Sequence, residues 1–273
     1  MRKRFAFVLG TCILLGASVL AYAQFLPEDL AERAKWEEFL TTAKIVSGEQ
    51  MTGPKSVTNP WRVTLEKDGI KREALWKNVF GRPRGYFDSW KYEVAAYRMD
   101  KLLELNMVPP TVERDYQGKG SLMLWMESWM TLEKKVEDKI KTPSYKVFYW
   151  NRALYLQRLF DNLIANEDRH QNNYLITKDW RMYLIDHSRS FRSSSKFTKE
   201  LIYTEKHKER LEMKELPKVI VDKIKALTFE SIKLAVGDYL DDDEIKAILI
   251  RRDLIFKEIE KLGKKYGADT VLY

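Results

Sequence analysis

The chain has 273 residues, of which 45% are hydrophobic, 12% aromatic and 32% charged, and its formal net charge is +8. This is the composition of a folded protein, and with only 12 Gly and 8 Pro it excludes collagen, low-complexity sequence and extensive disorder. The single cysteine, Cys12, excludes an intramolecular disulfide framework and a multi-cysteine zinc site. The mild positive charge is interspersed with acids, so it does not predict nucleic-acid binding.

Residues 1–23 have the pattern of an export signal. Three basic residues are followed by an apolar stretch, which ends at the tripeptide Ala21-Tyr22-Ala23. We therefore expect cleavage after Ala23 and a periplasmic or secreted protein. The alternative is an uncleaved membrane anchor, because the apolar run is near the lower limit for spanning a bilayer. No later segment is apolar enough to span, so no stable membrane span is expected after cleavage.

The first half of the remaining chain is predicted to be mostly sheet. A helix is expected over 26–40, and a second over 89–105, where apolar residues recur every three or four positions. A glycine-bearing turn, Lys67-Asp68-Gly69, separates two strands and favours an antiparallel arrangement. The predicted strands are 43–46, 61–65, 72–79, 111–115 and 121–126.

The second half is predicted to be mostly helical. One long amphipathic helix covers 145–165, and at least two more lie between Pro217 and the C-terminus. The composition changes near Trp129, which divides the chain into a sheet-rich part, 24–128, and a helix-rich part, 129–273. The predicted fold class is therefore α+β.

A short hairpin in the helical half carries the first candidate site. If the strands at 174–177 and 182–185 pair around a turn centred on Asp179-Trp180, Asn173 lies directly opposite Asp186. An amide oxygen and a carboxylate would then face one point, as suits a hard cation such as Mg²⁺ that keeps several waters. Asp168, in the polar loop before the hairpin, could receive a proton or orient a nucleophile.

The same residues resemble a known group of enzymes. Asp168-Arg169-His170, with Asn173 five residues after the aspartate and Asp186 ending the second strand, is similar to the catalytic and metal-binding segments of atypical kinases. That group includes the phosphoinositide kinases, the secretory-pathway Golgi casein-kinase and four-jointed kinases, the spore-coat kinases and the bacterial persistence-toxin kinases. The resemblance implies a two-lobed kinase-like fold that binds ATP with Mg²⁺ or Mn²⁺.

The resemblance extends upstream in the same order. Lys77 would hold the nucleotide phosphates, and Glu93, 16 residues later on a helix, would position Lys77. Residues 122–127, ending at Glu127, would form the strand and hinge beside the adenine. Gly48 and Gly53 form a weak glycine loop, from which three residues would contact the nucleotide: Gly53, Lys55 and Ser56.

The resemblance also implies the reaction. Asp168 would orient a hydroxyl group on a protein, sugar or lipid for transfer of the γ-phosphoryl group, with Asn173 and Asp186 holding the metal ion. His170 would either approach the transferred group or orient its loop. Asp186 is followed by His187-Ser188, so the movable Phe of many kinases is not implied. Two alternatives stay open: a nucleotide-binding pseudokinase or scaffold in the cell envelope, and an adenylyltransferase.

Overall fold

The computed structural model describes residues 24–53, 58–83, 85–204, 206 and 212–273. The expected export signal, together with Lys55 and Ser56 of the glycine loop, lies outside these residues. The predicted α+β class is confirmed, because antiparallel sheet forms in the first half and helices dominate the second. None of the helices within the described ranges combines the length and apolarity needed to cross a bilayer.

One antiparallel sheet organises the first half, with strand order β1-β2-β3-β7-β6. Its β2–β3 hairpin closes as predicted, because Asp68 and Gly69 both adopt the left-handed conformation that suits a two-residue turn. The elements in chain order are α1 (Pro27–Ala31), α2 (Arg33–Thr42), β1 (Lys44–Gln50), β2 (Trp61–Lys67), β3 (Ile70–Lys77), β4 (Phe80–Gly81), β5 (Asp88–Ser89), α3 (Trp90–Leu103), β6 (Thr111–Asp115) and β7 (Lys119–Leu124).

Strand β1 is longer than the sequence pattern predicted. It continues through Gly48, which pairs with Val63, so Gly48 lies in the sheet and not in a loop. A side chain at this position would begin 2.7 Å from the Tyr116 hydroxyl. A side chain at Gly48 would therefore require the Tyr116 side chain to move, and only Gly53 of the two glycines lies beyond the strand.

The second half surrounds a small three-stranded sheet of order β10-β9-β8. Helix α5 is the long helix predicted over 145–165, and a 3₁₀ turn at Ser144–Lys146 precedes it. The elements are β8 (Met130–Thr131), α4 (Leu132–Glu137), α5 (Val147–Ile164), a 3₁₀ turn (Gln171–Asn173), β9 (Tyr174–Ile176), β10 (Met182–Leu184), α6 (Ser195–Lys199), α7 (Lys218–Lys225), α8 (Phe229–Val236), α9 (Asp242–Tyr266) and α10 (Ala268–Val271).

Two separate apolar clusters hold these parts together. The smaller lies between α2 and the five-stranded sheet and includes Leu40, Leu65 and Trp76. The larger joins α5 and α9 to the apolar face of α3, including Met99. The four residues predicted to form that face are all buried: Tyr92, Ala96, Met99 and Leu103. Helix α3 thus connects the sheet with the helical half.

The predicted register of the β9–β10 hairpin is wrong by one residue. Leu184 pairs with Tyr174, so Asn173 lies opposite Ile185 instead of Asp186, and the Ile185 amide donates to the Asn173 carbonyl at 3.1 Å. The cause is the turn, which has three residues because Trp180 adopts a left-handed conformation (φ 70°). The predicted strands left four residues between them, 178–181, whereas the observed turn has three, and this difference of one residue changes which residues face each other.

Candidate functional site

A cavity of about 1210 Å³ lies between the five-stranded sheet and the polar loop that precedes β9. Its size exceeds the usual 300–1,000 Å³ range of ligand pockets. It is lined by six of the predicted site residues: Gly53, Lys77, Asp168, His170, Asn173 and Asp186. The fold therefore brings together residues that are more than 100 positions apart in the chain.

Lys77 lies at the end of β3 and forms two ion pairs. Its Nζ is 2.7 Å from Glu93 Oε1 and 2.8 Å from Asp186 Oδ1, and both Lys77 and Glu93 are buried. Burial by itself would lower the pKa of Lys77, but the charges of Asp186 and Glu93 outweigh this effect and raise the pKa above its ordinary value. Lys77 is therefore held as a cation at the wall of the cavity.

Glu93 lies one turn into α3 and behind Lys77, so it does not line the cavity itself. Its second oxygen, Oε2, accepts a hydrogen bond of 2.9 Å from the His187 backbone amide. Burial opposes ionisation, but Lys77 and then His187 lower the pKa of Glu93 below its ordinary value. The carboxylate thus connects β3 to the chain immediately after Asp186.

The backbone at Asp186 turns sharply, which allows this arrangement. Asp186 has a φ of 59°, a left-handed conformation that non-glycine residues rarely adopt and that is concentrated at functional sites. Its Oδ1 accepts from Lys77 and also lies 3.3 Å from the Ser188 hydroxyl oxygen. The side chain is 38% exposed and lines the cavity, so part of the carboxylate is accessible to a ligand.

Arg169 fixes both loops that carry the candidate metal ligands. It forms a bidentate ion pair of 2.9 Å with Asp161, and both side chains are fully buried. Its remaining nitrogen donates to the backbone carbonyls of Asn173 at 3.2 Å and Ile185 at 2.6 Å. One guanidinium therefore sets the distance between the segments that end in Asn173 and Asp186.

Asp168 is held on both sides. Its Oδ1 is 2.6 Å from His170 Nε2, and its Oδ2 is 3.0 Å from Arg189 Nη1. Partial burial raises the pKa of Asp168, with Arg189 and His170 opposing the shift. The His170 side chain is 71% exposed, so its ring lies on the solvent side of Asp168.

Asn173 and Asp186 fit a magnesium or manganese ion that keeps waters and phosphate oxygens as its other ligands. The Asn173 amide nitrogen donates to the Asp168 backbone carbonyl at 3.1 Å, which leaves the amide oxygen as the group available to a cation. Within the described residues, no group of three or more His, Cys, Asp or Glu side chains could hold a metal ion. A cation held by Asn173 and Asp186 would therefore need waters or oxygen atoms of a bound ligand to complete its coordination.

Part of the cavity lining is apolar. It consists of Leu75, Met123, Met126 and Leu175, with Trp125 beside them. Glu127, the predicted hinge residue, is exposed and does not line the cavity, although its neighbours Met126 and Ser128 do.

Three functional candidates were missed in the sequence: Asp88, Ser188 and Arg189, which all line the cavity. Arg189 lies three residues after Asp186, which is the only signal that could have suggested it. No family model matches this chain, and no curated protein matches it. The site is therefore defined by its own geometry: a buried lysine–glutamate pair, a carboxylate in contact with that lysine, and an amide and a second aspartate that line the same cavity.

Proposed function

We propose that this chain binds ATP with Mg²⁺ or Mn²⁺ in the 1210 Å³ cavity and transfers the γ-phosphoryl group to a hydroxyl acceptor. In this proposal residues 24–128 and 129–273 are the two lobes of a kinase-like fold. The acceptor is a hydroxyl group of a protein, a sugar or a lipid.

The contact of Lys77 with both Glu93 and Asp186 is the observation that carries the proposal. Kinases position the triphosphate with a lysine that is paired with a helix glutamate and with an aspartate that binds the metal ion. Here Lys77 contacts the residues proposed for both of these roles. A lysine kept only for stability would not need to reach the exposed Asp186 carboxylate. The apolar side chains of Leu75 and Met123 line the same cavity and would contact the adenine base.

The charges of the cavity support a metal requirement. Its lining includes two cations, Lys77 and Arg189, against four carboxylates: Asp88, Glu133, Asp168 and Asp186. A triphosphate would meet net negative charge there, so it needs divalent cations to enter. A bound Mg²⁺ or Mn²⁺ would supply that positive charge and shield the phosphate oxygens.

The residues in and around the cavity can supply each part of the transfer. The acceptor oxygen forms a bond to the γ-phosphorus while the bond from that phosphorus to the β-γ bridging oxygen breaks, and ADP leaves. The hydroxyl proton is accepted by the Asp168 carboxylate. Lys77 lies where it can contact the phosphates, and Arg169 keeps the two loops at a fixed separation.

The test is intact-mass analysis of the purified chain, with candidate acceptors, after incubation with ATP and Mn²⁺. An acceptor that gains one phosphoryl group supports the proposal, whereas a gain of AMP would replace it with adenylylation. Lys77→Ala and Asp186→Ala should lose the increase in melting temperature caused by ATP and Mn²⁺. At 100 times the dissociation constant, that increase corresponds to about 2.7 kcal/mol in the wild type.

Two further variants make the test specific. Asp168→Asn should keep the ATP-dependent increase in melting temperature and lose transfer by about 10²–10⁴-fold, because a positioned base contributes that much. Lys71→Ala is the matched control, since Lys71 lies on the same strand β3 but forms only an exposed ion pair with Glu66. An unchanged ATP response in Lys77→Ala would refute the assignment.

A nucleotide-binding protein without transfer is the second candidate. It is favoured by the contacts of His170 and Arg189 with both oxygens of the Asp168 carboxylate, which occupy it before any acceptor arrives. ATP binding without any mass gain on an acceptor and without ATP hydrolysis would establish this candidate. We also propose that the protein is exported, on the basis of residues 1–23.

A further inference from the structure

Arg189 contacts two carboxylates that come from distant parts of the chain. Its Nε is 3.1 Å from Asp88 Oδ1 and 3.2 Å from Asp88 Oδ2, while its Nη1 is 3.0 Å from Asp168 Oδ2. The arginine side chain is only 12% exposed and lines the cavity. One guanidinium thus joins strand β5 to the loop that carries the proposed acceptor-orienting aspartate.

Asp88 is a fixed anchor for this arginine. It is 2% exposed and also accepts a hydrogen bond of 2.7 Å from the Ser188 hydroxyl. The adjacent Ser89 amide donates to the Ser188 carbonyl at 2.9 Å, so the chain at 88–89 is paired with the chain at 188–189. Ser89 also caps the N-terminus of α3, the helix that carries Glu93.

The two oxygens of Asp168 have different surroundings. Oδ2 is held by the buried Arg189, whereas Oδ1 contacts only the exposed ring of His170 among the described side chains. An acceptor can reach Oδ1 by moving one exposed side chain. To reach Oδ2 it would have to break a contact that is supported by a buried carboxylate.

We infer that Arg189, anchored by Asp88, is a positioning residue that fixes Asp168 Oδ2 and leaves Oδ1 to meet the acceptor hydroxyl. The guanidinium suits this role because its rigid fork can contact two carboxylates at once, whereas an ammonium group is a single point of charge. This inference rests on the proposed function of the cavity. Asp88 reaches Asp168 through Arg189, since among the described residues no hydrogen bond or ion pair joins the two aspartates directly.

The inference predicts a specific pattern in ATP turnover, measured with Mn²⁺ and with water or the chain itself as acceptor. Arg189→Gln should lower kcat at least tenfold and change KM for ATP by less than about twofold, because the acceptor side is disturbed and the nucleotide side is not. Arg189→Lys should fall between the wild type and Arg189→Gln. Asp88→Asn alone should also lower kcat, but adding it to Arg189→Gln should lower kcat no further.

Arg192→Gln is the matched control. Arg192 is 13% exposed, pairs with Glu167 at 2.8 Å and donates to the Phe87 carbonyl at 2.8 Å. It therefore joins the same two regions of the chain without touching Asp168. If Arg192→Gln lowers kcat as much as Arg189→Gln does, the effect is structural and the inference is wrong.

A second measurement is independent of catalysis. In ¹H–¹⁵N spectra of the intact chain, the Arg189 Nε–H signal should exchange slowly with water, and it should shift or broaden in both Asp88→Asn and Asp168→Asn. A signal that exchanges at the rate of an exposed arginine would overturn the inference even if the protein transfers phosphate. Slow exchange in a protein without any turnover would support the bridge while the proposed function fails.

Discussion

The buried Arg169–Asp161 pair offers the most direct quantitative test of how the site is assembled. Replacing Asp161 by Asn removes the countercharge of a fully buried guanidinium. Both Asp161 oxygens accept hydrogen bonds from Arg169. In the variant, the side-chain amide nitrogen would replace one of these oxygens and would face an N–H group of Arg169, so two donors would oppose each other. Leaving one member of a buried ion pair unpaired costs about 3–5 kcal/mol.

That cost can be read from unfolding in urea, followed by circular dichroism. For a chain of this length, about 3–5 kcal/mol corresponds to a fall in melting temperature of roughly 10 °C. Asp138→Asn is the control, because its ion pair with Lys134 is exposed to solvent and should contribute little to stability. A loss of less than about 1 kcal/mol in Asp161→Asn would refute the reasoning.

A double variant separates stability from the organisation of the site. Replacing the pair by apolar residues, Arg169→Met with Asp161→Leu, removes both buried charges and should recover much of the stability that either single change loses. It also removes the hydrogen bonds to the Asn173 and Ile185 carbonyls. We therefore expect a stable protein with a reduced response of the melting temperature to ATP and Mn²⁺. A full response would show that Arg169 does not position the metal-binding loops.

Two further predictions concern a buried acid and the N-terminus. Burial raises the pKa of Asp100 to about 6 from an ordinary value of 3.8, so the folded state binds the extra proton and stability should fall as the pH rises from about 4 to 7. The two pKa values differ by about two pH units, which corresponds to about 3 kcal/mol of unfolding free energy. Asp100→Asn should abolish this loss of stability between about pH 4 and 7, as measured by urea unfolding. If the variant loses as much stability as the wild type, other groups cause the loss. For export, the intact mass of protein made with its own residues 1–23 should correspond to a start at Gln24. A start at Met1 in a membrane fraction would favour the uncleaved anchor.

Much of the fold followed from local sequence patterns. The stripe on α3 and the glycine-bearing turn between β2 and β3 were predicted correctly, since both depend on spacing or on backbone freedom within a few residues. The length of β1 was not predicted. Its end depends on pairing with β2 and on the contact of Gly48 with Tyr116, neither of which is visible in the segment itself.

The candidate site shows the same division. The set Lys77, Glu93, Asp168, Asn173 and Asp186 was chosen from residue type and order, and the fold places four of them on one cavity with Glu93 directly behind. The predicted pairing of Asn173 with Asp186 across the hairpin is wrong, because these residues are not cross-strand partners. They face the same cavity because the left-handed backbone at Asp186 and the Arg169 contacts bring the two loops together.

The sequence by itself determined the fold class, most elements and the principal polar residues, because these depend on composition, periodicity and short-range order. Only the tertiary structure decided that Lys77 contacts Glu93 and Asp186 at once, and that Arg189 joins Asp88 to Asp168. These contacts join residues 16 to about 110 positions apart. Such distances are set by how β3, α3 and the β9–β10 hairpin pack together, and no local pattern encodes them.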